Sequence, residues 1–243
     1  MKRPDQEPSR SPRNNARSMA PHSCYDDVNV SSAEEHLEAL GNNNLLRGNA
    51  RARIYRSLFP FTPKSIADIG CGVGITTSAL KHAFSDAVVC GYDISESAVA
   101  YAARADRHGA EYRVVEAGVD VRLERQYEAM VFQEFYPFTR TPDFNIHLEF
   151  LRFAVNNLAP GGFIVIQLAI RHPETTILVN GEQLEDFCET HQFDLTRHMI
   201  PFDRLVDITT SVWISKLLTP ALAFLTGADR RIVLLMRHRA NRL

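Results

Sequence analysis

Apolar and polar residues alternate in blocks along most of this chain. From Lys64 onward, short apolar runs fall at Ser65–Ile69, 87–92, 112–115, 129–133 and 162–168. Each is the length of a strand, and the segments between them are long enough for helices. The pattern predicts an α/β fold with a doubly wound, mostly parallel sheet. A polar helix near 182–191, a strand over Phe193–Ile200 and a last strand in "RRIVLLMRH" complete seven strands. Upstream, "SSAEEHLEALG" has Ser32 and Glu35 at capping-box spacing and Gly41 as a stop, and a second helix over 45–59 ends at Pro60. Residues 31–60 are therefore expected to form a helical cap on a domain spanning 61–243.

Composition places the chain among ordinary globular proteins: 243 residues, 45% apolar and 23% charged. Residues 1–30, rich in Pro, Ser, Asn and Arg without an apolar core, are expected to be a disordered tail rather than a secretory signal. Cys24, Cys71, Cys90 and Cys188 show no CxxC spacing, which suits reduced thiols and a cytoplasmic location. A net charge of −2 does not suit a general nucleic-acid binder, although "DRRIVLLMRHRANRL" carries five Arg against one Asp.

The stretch that changes the picture is "KSIADIGCGVGITTSAL", where Gly70, Gly72 and Gly74 crowd a loop between a strand and a helix. Ordered glycine costs backbone entropy, so a loop this rich in it needs a reason, and a ligand against the backbone supplies one. The helix that follows offers its first N–H groups to an electron-rich ligand. The next strand ends in Asp93, 23 residues after Gly70, where a carboxylate can accept from a ribose diol. A dinucleotide fingerprint would need glycine or alanine where Ile75 stands; the GxGxG spacing here argues against NAD and FAD.

"DIGCGVG", "GYDIS", "YRVVEAG" and "LAPGGF", in that order, resemble the conserved motifs of the class I S-adenosylmethionine-dependent methyltransferases. The resemblance runs from about Lys64 to Ala169. It implies that S-adenosyl-L-methionine is the cofactor and that Asp68, Gly70, Cys71, Gly72 and Gly74 line its methionine and sulfonium end, Cys71 through its backbone. Asp93 would hold the ribose hydroxyls, Ile94 the adenine face, and Glu116 and Ala117 the adenine edge, with Gln133 beside them. Helix-cap pairing for Asp68 and a solvated strand end for Glu116 are the structural alternatives.

Methyl transfer needs the acceptor held on the methyl axis, and a base only when the acceptor has a proton to lose. The ligand crevice of an open α/β sheet lies beyond the strands' carboxyl ends, so "QEFYPFTR" and "AIRHPETT" border the acceptor. Glu134, Tyr136 and His172 are the catalytic candidates. Packing for Tyr136, an ion pair with an arginine such as Arg140 for Glu134, and a solvated turn for His172 are the alternatives. "EFYPF" departs from the Asn/Asp-Pro-Pro-aromatic pattern of enzymes that methylate nucleic-acid bases, so an RNA acceptor is the lesser reading. No metal is expected.

Residues 207–227, "DITTSVWISKLLTPALAFLTG", form an apolar insertion before the last strand, interrupted by Lys216 and Pro220 and too broken for a transmembrane segment. Trp213, Ile214, Leu217, Leu218, Leu222, Phe224 and Leu225 would need cover, as core, as a wall over an apolar acceptor, as a homodimer face or against a membrane surface. Pro220 should break or kink any helix there. The expectation is a methyltransferase acting on a small-molecule, saccharide or lipid-like acceptor, at oxygen in preference to nitrogen. A non-catalytic cofactor-binding partner subunit and a nicotinamide oxidoreductase are the rivals.

Overall fold

The computed structural model describes residues 43–170, 179–202, 205–206, 209–226 and 230–239. The expected tail 1–30 and the short helix ending at Gly41 lie outside these residues. Helix α1 (Asn43–Leu58) leads into β1 (Ser65–Ile69), α2 (Ile75–Ala83), β2 (Val88–Asp93), α3 (Glu96–Ala105) and β3 (Glu111–Val114). There follow β4 (Tyr127–Gln133), α4 (Tyr136–Arg140), α5 (Phe144–Asn157), β5 (Leu158–Ile170), α6 (Gly181–Thr190), β6 (Phe193–Ile200), α7 (Val212–Thr226) and β7 (Arg230–His238).

The strands form one seven-stranded sheet in the order β3-β2-β1-β4-β5-β7-β6. Only β7 runs antiparallel to its neighbours. The chain winds outward from β1 to β3 and then returns to β4 on the other side of β1, so the switch point falls between β1 and β4. Both sheet faces are covered, which is why the central strands read as unbroken apolar runs. Met130, Phe132, Ile164 and Ile166 pack on one side with Phe150, Leu151 and Phe153 of α5. Val131 and Val165 pack on the other with Ile54 and Tyr55 of α1 and Leu80 of α2. Phe59, just past α1, stacks at 5.4 Å on Phe84 and meets Phe163 edge-on at 4.8 Å. Such pairs contribute roughly 0.5–1.5 kcal/mol each beyond the area they bury, and here they seat α1 against the sheet.

Two expectations change. Strand β5 begins at Leu158, earlier than the apolar run suggests, because "APGG" is absorbed by a register shift: Tyr127 pairs with Leu158, but Ala129 pairs with Phe163. Helix α7 does not stop at Pro220 but runs through it to Thr226. Pro220 lacks the N–H that would bond the carbonyl four residues back, yet it lies on the exposed side, where water can take that carbonyl. Of the covers weighed for this helix, the core is not the one used: Ser215 and Thr219 are buried at 0% and 2% exposure, while Trp213 is 71% and Leu217 62% exposed. The core reading of these apolar residues is therefore overturned. Inward, Thr219 Oγ1 donates to Ser215 O at 2.8 Å and Ser215 Oγ to Ser211 O at 2.8 Å, one turn back in each case, so both buried hydroxyls are satisfied.

Candidate functional site

Three backbone bonds shape the glycine loop. Gly70 and Cys71 N–H both donate to Tyr92 O, at 2.7 and 3.0 Å, and Gly74 N–H donates back to Cys71 O at 3.0 Å. All three glycines have positive φ: 73° at Gly70, 51° at Gly72 and 78° at Gly74. The reason for glycine differs along the loop. A Cβ at Gly74 would sit 2.6 Å from the Tyr112 ring and 2.7 Å from Ala102, so protein packing fills that side. Beside Gly72 nothing lies within 4 Å, and there the backbone faces open space. Helix α2 begins with Gly74 as its N-cap and no side-chain cap bond, which leaves its first N–H groups open to an acceptor.

Asp93, at the end of β2, is tied to this loop. Its Oδ2 accepts from Gly72 N–H at 2.7 Å and its Oδ1 from Ser95 N–H at 3.0 Å. Asp68 lies beneath the loop rather than on its surface: it is 1% exposed and its Oδ2 accepts from Thr77 Oγ1 at 2.6 Å. Burial pushes its carboxyl up to about 6, against the Thr77 bond; nearby Asp93 pushes the same way and Arg51 opposes it. Cys71 is half-buried, and burial drives its thiol far above the ordinary range, so it stays protonated. Ile94 is half-buried beyond Asp93; Glu116 is exposed and Ala117 half-buried, just past the end of β3, where Val115 N–H donates to Asp93 O at 2.9 Å.

Across the switch point, β4 ends in Gln133 and the chain turns sharply. Glu134 takes φ 49°, a conformation a non-glycine residue adopts only under constraint, and its N–H donates to Gln167 O at 2.9 Å. Its carboxylate faces Arg231 of β7 at 3.5 Å. Tyr136, which opens α4, is 48% exposed. Phe135 turns inward against Phe132 and Phe150 and closes over Gly70, where an added Cβ would lie 2.6 Å from its ring. Helix α4 is fixed from behind by buried His147, whose Nε2 lies 2.9 Å from both Pro137 O and Thr141 O. Burial lowers the affinity of that imidazole for a second proton, so it acts as a neutral clamp. His172 lies outside the described residues.

Sequence reasoning missed three polar residues here. Tyr55 Oη stands 3.1 Å from Gln133 Oε1 and 2.9 Å from Gln167 Oε1, and Thr76 Oγ1 donates to Gln133 Oε1 at 2.8 Å. The one available signal was Gln167, a lone amide in the apolar run "GFIVIQLAI". At the far edge of the sheet, Cys90, Glu111 and Glu124 come within 4.8 Å of one another, but Arg113 already pairs with both carboxylates, at 2.8 and 3.1 Å.

The crevice thus combines an open glycine turn, free helix N–H groups and a carboxylate at the next strand end, with a strained acidic turn opposite. A model of the family described as methyltransferase small domain matches residues 52–197. A curated malonyl-[acyl-carrier protein] O-methyltransferase from Hahella chejuensis (strain KCTC 2396) is 45% identical over 40 residues, 16% of this chain and 14% of that one. Among solved structures, the plantazolicin methyltransferase BpumL, crystallised with a desmethyl plantazolicin analogue and SAH, superposes with a TM-score of 0.56 at 14% identity, over 90% of this chain and 93% of that one. Phosphoethanolamine N-methyltransferase 2 of Haemonchus contortus, with S-adenosyl-L-methionine, gives 0.52 at 16% identity over 82% of this chain and 52% of that one. The match covers more than half of the chain, and the chain belongs to the methyltransferase small domain family.

Proposed function

We propose that this enzyme methylates an oxygen of a small-molecule, saccharide or lipid-like acceptor, with the cofactor lying across the glycine loop between Asp93 and Gln133. S-adenosylmethionine supplies a methyl group on a sulfonium, transferred by in-line displacement. The residues fit such a ligand. Open space at Gly72 admits it against the backbone, and uncapped α2 N–H groups suit its carboxylate. Asp93 keeps lone pairs for a diol, since each oxygen accepts one bond and has capacity for another. Ile94 and Ala117 supply apolar contact for a purine, with Glu116 at its edge.

The observation that carries the acceptor side is the strained turn at Glu134. Its left-handed backbone holds a carboxylate at the carboxyl edge of the sheet, next to the switch point, while Arg231 steadies it. A carboxylate there can orient a hydroxyl by accepting its proton in a hydrogen bond, and can take that proton as the methyl transfers. Tyr136 and His172 are proposed as further acceptor-side groups. The Hahella relative is by its name an O-methyltransferase, in keeping with an oxygen acceptor, and the match spans 14% of it. The test is mass spectrometry of extracts incubated with methyl-labelled S-adenosylmethionine, with and without the protein. A labelled ether or ester product supports the reading. Label found only on nitrogen or in RNA would replace it.

A further inference from the structure

The amide of Gln133 is held in one orientation by side chains from two different helices. Tyr55 has one phenolic proton, but it faces two amide oxygens, at 2.9 Å on Gln167 and 3.1 Å on Gln133. Gln167, 1% exposed, at the same time leaves its Nε2 buried without a partner. A half-turn of the Gln167 amide exchanges its two ends and settles the proton count, because a buried N–H without an acceptor costs more than an under-used carbonyl. The bonds then form a chain: Gln167 Nε2–H donates to Tyr55 Oη, and Tyr55 O–H donates to Gln133 Oε1. Thr76 O–H donates to that same oxygen at 2.8 Å.

Gln133 Oε1 therefore has both lone pairs occupied, and the amide has no freedom to turn over. Both side-chain hydrogen bonds of Gln133 go to its Oε1, so its Nε2 makes none to the described residues, and the residue is only half-buried. Gln133 pairs with Gln167 at the end of β4, one residue beyond the contact of Phe132 with Ile69 at the mouth of the glycine loop. Thr76 belongs to the uncapped first turn of α2. An amide fixed through its oxygen, with its N–H groups unspent on the described residues, is a donor suited to an anion at that place.

We propose that Tyr55 is a positioning residue for the cofactor: by locking Gln133 it presents the Gln133 Nε2–H to the carboxylate of the methionine moiety. This rests on the placement of the cofactor proposed above. It gives α1 a part in binding that neither the glycine loop nor Asp93 supplies.

The test is calorimetric titration of the full chain with S-adenosylhomocysteine and with 5′-methylthioadenosine, which lacks the amino acid end. Tyr55→Phe keeps the ring and removes the hydroxyl. It is expected to weaken S-adenosylhomocysteine binding about five- to tenfold, the scale of one hydrogen bond, and to leave methylthioadenosine unchanged. In a Gln133→Leu background, Tyr55→Phe should change nothing further. If Tyr55→Phe does not fold, Thr76→Val carries the same test, since it removes the other donor to the same oxygen. Equal weakening of both ligands, or no weakening of either, overturns the proposal. A wild-type chain that binds neither ligand would instead overturn the placement of the cofactor.

Discussion

Asp93 Oδ2 and the N–H of Gly72 are joined by a 2.7 Å hydrogen bond, so the carboxylate at the end of β2 holds the one glycine of the loop whose side faces open space. Loop shape and ligand recognition depend on the same side chain. Removing it takes away a bond that sets the loop as well as a contact to the ligand.

Asp93→Ala is accordingly expected to weaken S-adenosylhomocysteine binding by roughly 1–3 kcal/mol, the range for a charge-assisted bond lost. Asp93→Asn keeps an acceptor oxygen and should lose less. Titration calorimetry on the three proteins checks this order. Equal affinity in wild type and Asp93→Ala would remove Asp93 from the binding surface.

Asp68 predicts a pH dependence. Its folded pKa is raised by burial to about 6, above its ordinary value of 3.8. The folded state therefore binds the proton more tightly, and the stability this adds is full below about 3.8 and lost as pH rises through about 6. Relative to Asp68→Asn, wild type should gain roughly 2 kcal/mol between pH 6 and 4, out of a total of about 3 kcal/mol for about two pKa units at 1.36 kcal/mol each. Urea unfolding of both proteins at several pH values measures the difference. A difference that stays flat or falls on acidification would contradict the assignment.

On α7, Trp213→Ser and Leu217→Ser together should leave the fold intact, with stability changed by no more than about 0.5 kcal/mol per site, because both side chains stand in solvent. Ser215→Leu should destabilise by about 1–3 kcal/mol through overpacking at a fully buried position. Thermal unfolding checks both. An unfolded Trp213/Leu217 double variant would return those side chains to the core.

What the sequence made legible follows from local signals. The strands around Met130, Val131 and Phe132 are buried on both faces, so their apolar runs announced them, and the Asp93 spacing followed from one strand–loop–helix–strand unit. The features that escaped join distant parts of the chain. Tyr55 and Gln167 lie 112 residues apart, and nothing local to either tells of the other. The Glu134 partner proved to be Arg231 rather than a nearby arginine, because β7 is inserted beside β5. The facing of α7 stayed open between core and surface because hydroxyls such as Ser215 and Thr219 can be buried when they are hydrogen-bonded, which hydropathy alone does not reveal.

The most direct measurement is titration of the full chain with S-adenosylhomocysteine and, separately, with NAD. Binding of one S-adenosylhomocysteine per chain with no heat from NAD is the predicted result. Binding of NAD with none of S-adenosylhomocysteine would contradict the account at its centre, since the loop would then serve a dinucleotide and Asp93 a different ribose.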